Sequence, residues 1–272
     1  MSDTREILLT NDDGIESPGI RALYDALSEV GNVTTVAPAD DQSAVGRAMT
    51  YEVPVEEHEL GYAVEGTPSD CVVAGLAELG PYPDIVVSGC NEGANIGAYV
   101  LGRSGTVSAA VEAAFFGVPA IAASLHVPQS QWPRDTSVEE YEEVAEAVRY
   151  LVEHAPDAGV FEEAEYLNVN GPLPSATSGA AEGRESAPAD APERTPMVVT
   201  RPSHVYDMDA TRDDGVVTLH DRTWEQLDGD TLSDPEGTDR RAVFDGKISV
   251  SPLTAPHTTE RHDALDDLAE RF

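Results

Sequence analysis

Two aspartates, Asp12 and Asp13, stand side by side directly after the apolar run EILLT (6–10) and directly before Gly14. Adjacent carboxylates repel, and each raises the cost of ionising the other unless positive charge sits between them. A bound cation supplies that charge. Two more polar clusters follow apolar runs in the same way: APADDQSAVG, with Ser43 after Asp40 and Asp41, and SGCNEGANIG, which carries Asn91 and Asn95. A hard divalent ion such as Mg²⁺ or Mn²⁺ takes oxygen from carboxylates, amides and hydroxyls. Asp12, Asp13, Ser43 and Asn91 would make such a set, with the two aspartates supplying most of the charge. An isolated Asp-Asp pair is usually a solvated turn or a helix cap; the position of this one, with two further polar strand ends, argues for a site. Zinc is not indicated, because Cys71 and Cys90 and the seven histidines show no ligand spacing.

The next chemical element is RSGTVSAAVEAAFFG. Ser104, Gly105 and Thr106 stand where a loop enters an apolar helix, so backbone amides point outward at the positive end of the helix dipole, where phosphate binds readily. Taken alone, SGT reads as helix capping by Ser104 or Thr106. Beside a cation site the two features explain each other, since a cation and an anion-binding helix end facing one cleft describe a site for a phosphate ester. Asp12 and Asp13 are then the catalytic candidates, as ligands of the ion and as acceptors of a proton from the attacking water.

These groups meet only if the fold brings them to one edge. Short apolar runs at 6–10, 32–38, 84–89, 119–124 and 166–170 alternate with helical patterns near 18–30, 68–79, 104–116 and 137–154. Near-continuous Val, Ile and Leu in strands separated by helices marks a parallel sheet covered on both faces. The predicted class is α/β, a Rossmann-like, doubly wound, mostly parallel sheet, and ligands in such sheets bind outside the carboxyl ends of the strands. Residues 1–172 form this core, with 51–65 as a projecting β segment. The stretch 173–196, rich in Ala, Pro, Ser, Gly and Glu, reads as a mobile loop. Residues 197–272 read as a smaller β-rich lobe or arm ending in a helix.

Composition narrows the partners. The chain has 51 Asp and Glu against 16 Lys and Arg, a net charge of −35, and a single lysine, Lys247. Nucleic-acid polymers are unlikely partners for such a surface. Self-repulsion on this scale is tolerable where concentrated salt screens it, which points to a salt-adapted protein. The two cysteines read as buried thiols in a reducing compartment, and no leader or membrane span is expected, so the predicted location is cytoplasmic.

In order along the chain, ILLTNDDGIESPGI, VAPADDQSAVG, EGTPSDCV, DIVVSGCNEGANIG, SGTVSAAVEAAFFGVPAIAAS, LNVNGP and GTDRRAVFDGKISVSPL resemble the signature segments of the SurE family, the survival-protein E phosphatases or 5′/3′-nucleotidases. The resemblance implies a metal-dependent phosphatase acting on nucleoside monophosphates. It also implies one divalent cation per subunit and a C-terminal arm swapped within a homodimer or homotetramer. By motif it implies Asp12, Asp13, Ser43 and Asn91 as metal ligands, with Asn95, Ser104, Gly105 and Thr106 lining the phosphate pocket. Arg103 stands where an aromatic residue often precedes SGT, and Cys90 where an aliphatic one is usual.

Two other readings compete. DMDAT (207–211) matches the nucleophile loop of haloacid-dehalogenase-type phosphatases, with Asp207 as nucleophile, although that loop should follow a buried strand. A receiver-like signalling module also pairs acids at its first strand end. It needs a phosphate-accepting Asp at the third strand end and a nearby Lys, and SGCN offers neither.

Overall fold

A computed structural model describes residues 4–174, 194–227 and 232–255. In chain order the elements are β1 (Arg5–Thr10), α1 (Pro18–Leu27), β2 (Gly31–Pro38), β3 (Val55–His58), β4 (Gly61–Val64), α2 (Pro68–Ala77), β5 (Ile85–Glu92), α3 (Ala98–Leu101), α4 (Gly105–Phe115), β6 (Ala120–His126), α5 (Glu142–His154), β7 (Tyr166–Pro172), β8 (Met197–Val199), β9 (Met208–Asp213), β10 (Val216–Asp221), α6 (Arg222–Leu227), α7 (Asp239–Phe244) and β11 (Ile248–Leu253). The predicted α/β class is the one observed. A nine-stranded sheet runs β3-β4-β2-β1-β5-β6-β7-β11-β8, parallel from β4 through β7.

The strands alternate as a doubly covered sheet requires. Ile7 and Leu9 face one core with Ile20, Leu23 and Leu27 of α1 and Val144 and Val148 of α5. Leu8 and Val86 face the other, with Val72 and Leu76 of α2 and Val107 and Ala110 of α4. Successive side chains of a strand point to opposite faces, so an uninterrupted apolar run is stable only between two helical layers. The chain leaves β1 toward β2 on one side and returns to β5 on the other, so the order reverses between β1 and β5. A crevice opens there, at the carboxyl ends.

Local sequence sets the helix that shapes this crevice. Pro18 opens α1 at a position where a missing N–H costs nothing. Gly19 then allows α1 to ride over the end of β5, since a Cβ at Gly19 would lie 1.9 Å from the Cys90 carbonyl oxygen. Gly19→Ala is expected to lower unfolding free energy by about 1–3 kcal/mol through this clash, measured by urea denaturation; an unchanged midpoint would contradict it.

Within residues 51–65, expected to be a β segment, the strands are Val55–His58 and Gly61–Val64. As β3 and β4 they extend the edge of the main sheet beside β2. Part of the expected C-terminal lobe also joins this sheet: β11 pairs antiparallel with β7 and parallel with β8. The polar side chains Thr200, Ser249 and Ser251 hydrogen-bond one another there, which buries a strand that is only half apolar. What stands apart is the two-stranded hairpin β9–β10. The terminal helix expected within 261–272, and most of the loop expected at 173–196, lie outside the described residues. Among the described residues no helix is long and apolar enough to cross a membrane.

Candidate active site

The loop after β1 is closed by Asn11, whose amide donates to the Gly14 carbonyl at 2.7 Å and to Ser17 Oγ at 2.8 Å. Gly14 has φ +95°, a region L side chains rarely adopt, and its open face lies against the backbone of Asp40 and Asp41. The second strand end is thereby drawn to the first, and the Gln42 N–H donates to the Asp12 carbonyl at 2.7 Å. The loop bearing Ser43 is held from outside by Arg47, which pairs with Glu112 of α4 at 3.5 Å and lies 4.7 Å from the Phe115 ring centroid.

Asp12 is buried against the start of α4. Its carboxylate accepts from Thr106 Oγ1 at 2.5 Å, and a Cβ on Gly105 would come within 2.8 Å of it. Only glycine leaves room for Asp12 there. Asp13 points toward β5 and accepts from the Glu92 N–H at 2.9 Å, which places it beside Asn91. The β5–β6 register shifts between Ser88 and Asn91, an irregularity that re-aims the strand end. Asn91 donates its amide nitrogen to the Gly93 carbonyl, leaving the amide oxygen for a further partner. Ser43 is exposed, and its hydroxyl and N–H both donate to Asp41 Oδ1, at 2.6 and 2.8 Å.

The pocket behind these groups is polar and buried. Ser104 caps α4, accepting from the Val107 N–H at 3.1 Å; Thr106, the alternative cap, instead bonds Asp12. Asn95 donates to Ser124 Oγ at 2.9 Å and to Thr106 Oγ1 at 3.3 Å, so it braces Thr106. Its backbone is held by Asn168 and Asn170 of β7. Those two asparagines were not among the residues singled out by sequence, yet two amides at alternate positions of a buried strand were a visible signal. Asp239 is a second omission: its carboxylate accepts from the Gly97 N–H at 2.7 Å and the Ser203 N–H at 2.9 Å. That fastens the segment after Asn95 to the start of α7, a contact across 142 positions that no local pattern announces.

Charge in the site is one-sided. Among the described residues no Lys, Arg or His pairs with Asp12 or Asp13. Burial is the main force raising the Asp12 pKa, opposed by the Thr106 hydroxyl and N–H. Asp13 is pushed up to about 7, first by burial and then by the charge of Asp12. No group of three or more His, Cys, Asp or Glu able to hold a metal occurs among the described residues. The oxygen donors expected from the sequence are instead two carboxylates, an amide and a hydroxyl, of which the hydroxyl of Ser43 is turned to Asp41. A buried and a half-buried carboxylate, adjacent and without a basic partner among the described residues, fit a hard divalent cation.

The survival protein SurE family model matches residues 7–191. The chain belongs to the SurE family. It is 60% identical to a protein of Halobacterium salinarum named 5′-nucleotidase SurE, covering 100% of this chain and 99% of that one. Identity is 61% to the 5′-nucleotidase SurE of Haloarcula marismortui (99% and 96%) and 36% to that of Methanocella arvoryzae (92% of each). The crystal structure of the SurE protein from Aquifex aeolicus superposes with a TM-score of 0.71 at 30% identity, covering 98% of this chain and 99% of that one. The halobacterial relatives agree with the salt-adapted charge balance.

Within this SurE fold the competing motifs lose their setting. Residues 208–213 of DMDAT and its continuation are themselves strand β9 of the separate hairpin, and Asp209 there is exposed and paired with Arg222. Among the described residues no strand of the main sheet leads into Asp207. The end of β5 carries Asn91 where a receiver would need an aspartate, and Lys247 pairs with Asp245.

Proposed function

We propose that this SurE-family chain is a divalent-metal-dependent phosphomonoesterase that converts nucleoside 5′-monophosphates to nucleoside and phosphate, with 3′-monophosphates as a second substrate class. The observation that carries this reading is the pair of adjacent carboxylates, without a basic partner among the described residues: buried Asp12 against the N-terminus of α4 and half-buried Asp13 against the end of β5. Asp12, Asp13, Ser43 and Asn91 would hold the ion. When bound, Mg²⁺ or Mn²⁺ supplies positive charge for phosphate oxygens and acidifies water. The chain's own part is placement. Ser104, Gly105 and Thr106 present the positive end of α4 to the phosphate, and Asn95 lines that pocket and keeps Thr106 in place. Thr106 in turn orients Asp12. Either aspartate accepts a proton from the water as its oxygen bonds to phosphorus and the P–O ester bond breaks, and that proton then passes to the departing nucleoside oxygen. Little covalent work falls to the protein in such a transfer, so alignment and charge carry it.

The same reading includes one cation per subunit, a cytoplasmic location and a homodimer or homotetramer. Supporting the last, the β9–β10 hairpin displays Val216, Val217 and Leu219, each more than half exposed. An isolated two-stranded ribbon is marginally stable in water, and a second copy would cover it. The direct test is release of inorganic phosphate from a panel of 5′- and 3′-mononucleotides with Mg²⁺, Mn²⁺ or Co²⁺ in molar KCl. Release from 5′-mononucleotides is expected; none from any nucleotide with any of these ions would sink the reading.

A further inference from the structure

Beside the α4 terminus Arg103, Tyr99 and Tyr206 form a contact series that the chemistry above does not use. Arg103, immediately before the Ser104 cap, lays its guanidinium 4.2 Å from the ring centroid of Tyr99 and donates to the Tyr99 hydroxyl at 2.7 Å. The Tyr99 ring lies nearly parallel to that of Tyr206, with centroids 5.1 Å apart and planes 9° from parallel. The Arg103 backbone is fixed at both ends: its N–H donates to the Val100 carbonyl at 2.8 Å, and its carbonyl accepts from the Gly46 N–H at 3.1 Å. Its stem therefore starts on the rim, between the loop of Ser43 and the end of α4.

Two facts separate this series from ordinary packing. First, Arg103 is exposed and Tyr206 is 61% exposed, yet among the described residues no carboxylate lies within ion-pair distance of Arg103. In a chain with 51 acidic residues that is an uncommon place for a surface arginine; nearby Arg47 and Arg240 each pair with an acid. Second, the series is not needed to fasten the 203–206 segment. The Ala98 N–H already donates to the Ser203 carbonyl at 2.8 Å. Arg240 bonds Ser203 Oγ and the Val205 carbonyl, and Asp239 holds the Ser203 N–H.

We propose that this series is the nucleobase subsite. With the phosphate at the start of α4, the base stacks on the outer face of the Arg103 guanidinium and continues the Tyr206–Tyr99–Arg103 series, with Tyr99 and Tyr206 holding that plane in position. The inference rests on the nucleotidase reading and adds to it how the organic half of the substrate is gripped. A guanidinium is planar, delocalised and weakly hydrated, so it stacks on a base face as an ammonium does not. Every base has such a face, and the grip therefore favours the larger purines without reading base edges.

The test compares kcat/KM for AMP with kcat/KM for ribose 5-phosphate, which keeps the phosphate and sugar and lacks the base. In Arg103→Ala the ratio of the two is expected to fall about tenfold, the scale of one base stack, through the KM for AMP. Arg103→Lys, which keeps the charge, should fall with it, and the inhibition constant of adenosine should rise by a similar factor in both variants. A ratio within twofold of wild type in Arg103→Ala, or a wild-type ratio in Arg103→Lys, overturns the subsite while wild-type turnover of AMP leaves the nucleotidase reading standing. A wild-type enzyme that releases phosphate from neither compound overturns both.

Discussion

Asp12→Asn and Asp13→Asn are each expected to lower kcat/KM for AMP by on the order of a thousandfold or more, with the fold retained in both. The magnitude is that of removing one directed charge from a reaction centre. The retention of fold follows from the surroundings. Asp13 is buried enough to hold its proton up to about pH 7, so above that pH the wild-type carboxylate is a charge kept out of water without a basic partner, and an amide of the same shape removes that penalty. An amide oxygen can still accept from the Glu92 N–H at position 13 and from Thr106 at position 12. Ion-free Asp13→Asn at pH 8 should therefore melt no lower than ion-free wild type while being nearly inactive. Loss of activity without loss of stability is the opposite of what substitution of a structural aspartate would show. Purified variants assayed for phosphate release and thermal melting decide it: wild-type turnover in either one removes that residue from the site.

The parts of this site that could be read from sequence are those whose local pattern and spatial role coincide. The ends of β1 and β2 and the second half of β5 are followed by or carry polar residues because the carboxyl edge of a parallel sheet is where the apolar layers stop covering the backbone. The runs that precede those ends are apolar enough to be found without a partner. A cap at Ser104 or Thr106 shows itself because capping is local, and the hydrogen bond from the Val107 N–H assigns it to Ser104. Other features needed contacts that no window contains. Gly19 looks like any glycine in a first helical turn until the Cys90 carbonyl is seen against it. The carboxylate of Asp239 matters because of Gly97 and Ser203, and β11 is a central-sheet strand because Thr200 satisfies its serines. The same limit explains residues 51–65. Their weak alternation, with Glu56 and Glu57 exposed on β3, suits an edge strand as well as a free arm. Only the pairing with β2 distinguishes the two.

Chelation of divalent ions is expected to lower phosphate release at least about a hundredfold, and return of Mg²⁺ or Mn²⁺ to raise the melting temperature more at pH 8 than at pH 5. The argument runs through the proton on Asp13. Its folded pKa of about 7 lies above the ordinary 3.8, so between about pH 4 and 7 the folded state binds more protons than the unfolded one. Stability of the ion-free protein then declines as pH climbs through that window, and the decline is complete above it. Asp12 acts in the same direction. A cation competes with this proton for the same oxygens, so its stabilising effect grows over the same interval. Repulsion among the other acidic groups also increases with pH, which is why the comparison belongs in molar KCl, where those exposed charges are screened, and beside Asp13→Asn, where the extra slope should shrink. An ion-induced shift of equal size at pH 5 and pH 8 would show that Asp13 is not where the ion binds, and full turnover after chelation would show that the carboxylates act without one.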